Sequence, residues 1–80
     1  MTQEEVLVQI TAIFRDVLDD DSIVLKRGTT AEDIEDWDSL THIQLIVTIE
    51  KKFGFKFTTA EINGFKNVGE MVDAVLKKKG

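Results

Sequence analysis

The stretch Trp37-Asp38-Ser39-Leu40-Thr41-His42-Ile43-Gln44-Leu45-Ile46-Val47-Thr48-Ile49-Glu50-Lys51-Lys52-Phe53-Gly54 decides how this chain is read. Behind Ser39 and Leu40, apolar side chains return at Ile43, Leu45, Ile46, Val47, Ile49 and Phe53. That density suits a helix buried over much of its circumference. Gly54 supplies a C-terminal stop, and Lys51 and Lys52 fall in the last turn, where the helix dipole favours cations. The helix opens on a hydroxyl. Ser39 is a good N-cap, and Asp38 serves as well.

Outward from this segment, three more helices follow from local signals, with no internal repeat and no low-complexity linker. Thr2 with Glu5 forms a capping-box pattern, after which Val6, Ile10, Ile13 and Val17 mark one helical stripe, widened by Leu7, Phe14 and Leu18. Asp19-Asp20-Asp21-Ser22 ends that first helix. A connection from about residue 20 to 37 comes next, with Ile23, Leu25 and Ile34 as anchors into the core. A loop that long in a small domain is unusual and often functional. A short third helix is boxed by Thr58 and Glu61 and stopped by Asn63-Gly64. The last helix starts at an Asn67 cap, carries Val68, Met71, Val72, Val75 and Leu76 on one face, and ends in Lys77-Lys78-Lys79. Phe55 and Phe57 alternate with lysine but have no partner strand. The fold class is all-α, with three main helices, one short third helix and a long first loop.

Eighty residues make one small domain, expected to span residues 1–80. A domain of this size buries only about 60–65% of the surface its unfolded chain exposes. The chain has no cysteine, hence no disulfide framework and no cysteine-based metal site. The N-terminus is acidic and lacks a signal-peptide layout, and no apolar run approaches a membrane span, so a cytoplasmic protein without membrane insertion is expected. The net charge is −5, unevenly spread: residues 1–40 hold eleven acids and three bases, residues 41–80 four acids and seven bases. Glu32, Asp33, Glu35, Asp36 and Asp38 crowd together just before Ser39. Such a run is commonly a solvated loop. It also repels phosphate backbones, which argues against nucleic acid, and attracts a basic protein surface.

The segment from Trp37 to Gly54 resembles the attachment site and second helix of acyl carrier proteins. The likeness runs on through Phe55-Lys-Phe57, the short helix and the last helix, and the N-terminal helix fits it too. Asp38-Ser39-Leu40 alone is common by chance; with this length and helix order it is specific. The resemblance implies an acyl-carrier-like four-helix bundle. It also implies that Ser39, flanked by Asp38 and Leu40, bears a 4′-phosphopantetheine arm whose thiol holds acyl groups as thioesters. A phosphopantetheinyl transferase and acyl-loading and acyl-processing enzymes would be the partners of a monomeric carrier. Partner docking then falls to Glu35, Asp36, Trp37, Asp38, Thr41, His42 and Gln44, and the acyl chain to a cavity among Ile43, Ile46, Val47, Ile49, Ile62 and Phe65. Those six read equally well as plain core packing. The alternative is a carrier-like helical interaction module that is never modified.

A carrier serine asks little of its own chain. A separate enzyme supplies the chemistry, so the serine needs only to be exposed and fixed. Free N–H groups and the positive dipole end would steady the phosphodiester by about 0.3–1 kcal/mol, against the pull of Asp36 and Asp38. An enzyme reading rests on Ser39 and His42, i and i+3 on one helix, with Asp38 adjacent. With one histidine and little room for an oxyanion pocket, it is not expected to be an enzyme. A calcium loop over residues 19–32 fails for want of the central glycine, and no metal is expected.

Two departures from the better-known fatty-acid-synthesis carriers point to a specialised member. Thr41 and Gln44 stand where those carriers have acids, and Glu50 is followed by Lys51 and Lys52. Trp37 stands where a small residue is usual, either packed over the loop and core or exposed as a partner anchor. A dedicated lipid, polyketide or surface-polysaccharide pathway, with a short or polar cargo, is the expectation.

Overall fold

Thr2 opens the first helix with a reciprocal cap, its hydroxyl accepting from the Glu5 N–H and the Glu5 carboxylate accepting from the Thr2 N–H, both at 3.2 Å. The computed structural model describes residues 1–79, and four helices lie among them. Helix α1 spans Gln3–Val17, α2 Ser39–Phe53, α3 Thr59–Gly64 and α4 Val68–Lys79. No strand lies among the described residues, in keeping with the all-α expectation. At the end of α1 the chain turns through Asp19 at φ 52°, a left-handed conformation that aspartate tolerates.

Helix α1 packs against both α2 and α4. Val6, Ile10 and Phe14 of α1 meet Leu45, Ile46 and Ile49 of α2 and Val68, Met71, Val72 and Val75 of α4 in one buried cluster. The long connection seals it with Ile23 and Leu25, which are buried as the sequence suggests, while Ile34 packs partly buried against the edge. Side-chain turns hold this loop: Thr29 Oγ1 accepts from the Lys26 N–H at 2.9 Å, Asp33 from the Thr30 N–H at 3.0 Å, and Arg15 Nε donates to the Ile23 carbonyl at 2.8 Å. A 21-residue stretch without helix is thereby ordered by its own polar groups.

The structure departs from the sequence reading along α2. Helix α2 is not buried around most of its girth: Leu40 is 72% exposed, Ile43 50% and Val47 40%. At roughly 100° per residue these three share one stripe, opposite Leu45, Ile46, Ile49 and Phe53, so apolar density exceeded what two neighbouring helices can cover. Helix α3 stops at Gly64 as the sequence suggests, and Phe65 continues in extended form. Glu50 is half-buried, because its carboxylate takes the Phe57 N–H at 2.8 Å and so anchors the extended 55–57 segment. Gly54 does close α2 as expected, at φ 78° with its N–H on the Glu50 carbonyl.

Candidate functional site

At the mouth of α2 the cap and the exposed hydroxyl belong to different residues. Asp38 has extended backbone, and its carboxylate accepts from the N–H groups of Leu40 and Thr41, both at 3.0 Å. Thr41 completes the box, its hydroxyl accepting from the Asp38 N–H at 2.8 Å and donating to the Asp36 carbonyl at 2.7 Å. The Thr41 amide holds the Asp38 carboxyl below its ordinary range; burial pushes the other way, and the Thr41 side chain and Leu40 amide add to the lowering. Ser39 is the first helical residue, exposed to solvent and no part of this cap. The expectation of free N–H groups for a phosphate is corrected here, since Asp38 has already taken two of them.

Trp37 is buried, with 6% of its surface exposed, and stands edge-on to Phe14 with ring centroids 4.9 Å apart. Its ring is held in the core and reaches the surface as part of the cleft beside Ser39. Thr41 is half-buried, its hydroxyl committed to the cap. Glu35, Asp36, Asp38 and Gln44 are exposed. His42 is half-buried and joins two elements: Nδ1 accepts from the Trp37 indole N–H at 3.0 Å, and Nε2 lies 2.9 Å from the Ile62 carbonyl. An indole only donates and a carbonyl only accepts, so Nδ1 is bare and Nε2 carries the proton. The one basic nitrogen is therefore spent on Trp37 and is not free to activate Ser39, which removes the serine–histidine enzyme reading.

A cleft of about 510 Å³ opens beside Ser39. Ser39, Trp37, His42 and Ile43 form one wall, and Ile62, Asn63, Phe65 and Lys66 the other. Of the six cavity residues read from sequence, the structure brings only Ile43, Ile62 and Phe65 together here. Ile46 and Ile49 are buried in the common core, and Val47 lines a separate groove with Phe55 between Lys51 and Lys56. Asn63 and Lys66 escaped the sequence reading because one closes the short α3 and the other lies in the link to α4, where no periodicity points toward Ser39. Leu40 was quoted only as a flank. Its place on the stripe with Ile43 and Val47 was the available signal, since i, i+3 and i+7 share a face.

Residues 8–75 match the family described as the phosphopantetheine attachment site. The chain is 33% identical over 79 residues to an acyl carrier protein of Thermosynechococcus vestitus, covering 98% of this chain and 96% of that one. It is 29% identical over 77 residues to the meromycolate extension acyl carrier protein of Mycobacterium leprae, covering 96% of this chain and 67% of that one. Among solved structures it resembles the holo acyl carrier protein of Geobacter metallireducens, with a TM-score of 0.86 and 52% identity over 91% of this chain and 84% of that one.

Proposed function

The chain belongs to the acyl carrier protein family, and on that premise we propose that Ser39 is its point of attachment for 4′-phosphopantetheine. The observation that carries this is the separation of cap from hydroxyl: Asp38 satisfies the first turn, and Ser39 stands exposed at the helix start. When bound, the group supplies a thiol that holds acyl chains as thioesters. The residues present fit it. The hydroxyl is accessible, a partly apolar cleft lies beside it, and Lys66 on the far wall brings a cation to a lining whose acid is Asp38. With Leu40 and Thr41 amides committed to Asp38, the phosphate is held weakly and the arm stays mobile. The chain has no cysteine that would compete for its cargo.

Residues 1–80 then act as one attachment domain, a monomeric cytoplasmic carrier and not a catalyst. Its partners are a phosphopantetheinyl transferase and the acyl-loading and acyl-processing enzymes of a lipid, polyketide or other dedicated pathway. No described helix is long and apolar enough to cross a membrane. Docking falls to the exposed acids Glu35, Asp36 and Asp38 together with Leu40, Gln44 and Val47 on the outer face of α2. Apolar side chains rimmed by charge suit a protein partner. The short run of Ile43, Ile62 and Phe65 between polar Asn63 and Lys66 favours a short or polar cargo.

Intact mass decides the matter. Wild type and Ser39→Ala are incubated with coenzyme A, magnesium and a broad-specificity transferase. Wild type is expected to gain one phosphopantetheine and the variant none. No gain by folded wild type across several transferases would favour an unmodified interaction module.

A further inference from the structure

Helix α3 has no buried residue, yet it forms one wall of the cleft beside Ser39. Its ties to the body are few. Ile62 and Phe65 pack partly buried, Glu61 pairs with Lys78 at 3.0 Å, and the Ile62 carbonyl meets His42 Nε2 at 2.9 Å. Among the polar ties, the last is the one that reaches α2. Through Nδ1 and the Trp37 indole, the same imidazole is fixed to a ring that is itself wedged against Phe14. The chain Phe14, Trp37, His42, Ile62 thus runs from the core of α1 to the outermost helix.

We propose that His42, as a neutral imidazole protonated on Nε2, is the residue that positions α3 and sets the width of the cleft beside Ser39. Adding a proton at Nδ1 turns an acceptor into a donor facing the indole N–H, which is also a donor. One bond of the relay is then lost, the ring is pushed from its place, and α3 loosens. The charged groups on the same cleft are Asp38, from the cap of α2, and Lys66, after α3. Glu61 of α3 is turned to Lys78, and Glu35 and Asp36 of the preceding loop are exposed. Acidification therefore widens the cleft and neutral conditions close it. This rests on Ser39 being the attachment point only for its consequence for cargo; the relay itself is a property of the bare chain.

The test uses the unmodified full chain in solution by NMR, with the solution taken from about pH 8 to about pH 5. Near pH 8 the ring nitrogens of His42 should report a proton on Nε2 alone. Through the titration the Trp37 indole N–H should shift with the imidazole. Amides of residues 59–65 should lose protection by about fivefold to tenfold after correction for intrinsic exchange, the size expected for one ordinary hydrogen bond, while α1 and α4 stay unchanged. His42→Gln offers one acceptor and one donor without titrating, and should keep α3 protected throughout. His42→Leu should leave it loose at every pH. A proton on Nδ1 near pH 8, an indole indifferent to the titration, or wild-type protection of α3 in His42→Leu would overturn the proposal. Mass gain at Ser39 is measured on the same sample, so a failed attachment site and a failed relay are told apart.

Discussion

Asp38 is worth more to this molecule at neutral than at acid pH. Its folded carboxyl is held below the ordinary range, so its contribution to stability is complete above the unfolded value, about 3.9, and is lost as pH falls through the lower folded value. Asp38→Ala should lower the melting temperature by a few degrees at pH 7, and the gap from wild type should close as the solution is acidified. Thermal scans at a series of pH values check both. A gap that widened in acid would refute this account of the cap. The sequence left Asp38 and Ser39 as equal candidates because both residue types cap well; the choice lay in where the carboxylate points. Trp37 was undecided for a similar reason. An indole packs over a core or anchors a partner with equal ease, and its proximity to Phe14, 23 positions away, is not written locally.

Helix α2 is one element with two apolar faces, and they should answer differently to truncation. Leu45→Ala, on the buried side, should cost about 2–5 kcal/mol, whereas Leu40→Ala, on the open side, should stay within about 0.5 kcal/mol. Urea unfolding measures both. The rate of phosphopantetheine loading should fall for Leu40→Ala and hold for any core variant that stays folded. Equal stability losses would mean that the outer stripe is covered after all. The extents of α1, α2 and α4 were legible because capping boxes and terminal lysines are local devices. What periodicity could not settle was how many sides of α2 find a neighbour. The cleft wall at Asn63 and Lys66 was hidden for the same reason, since α3 is too short to declare a face.

Across the whole molecule, the long loop is fastened to the start of α4. The Val68 N–H donates to the Thr29 carbonyl at 2.9 Å and the Gly69 N–H to the Arg27 carbonyl at 2.8 Å. A Cβ on Gly69 would stand 2.9 Å from that Arg27 oxygen, so Gly69→Ala should destabilise by about 1–3 kcal/mol although alanine suits helices better. Denaturant titration tests this, and a stabilised variant would contradict the close approach. Nothing in the sequence marked this glycine, because the crowding comes from a strand of backbone some forty positions earlier. Local signals settled the helices and the candidate serine; they were silent wherever distant segments meet. The separation of Asp38 from Ser39 reaches furthest at this scale. Because the neighbour secures the first turn, esterifying Ser39 disturbs no bond that the fold relies on. If Ser39 carries the group as proposed, bare and loaded chains should share one folded state, so that the group could be added or removed by other proteins as a reversible mark. A newly made chain can wait for it without being taken for a misfolded one.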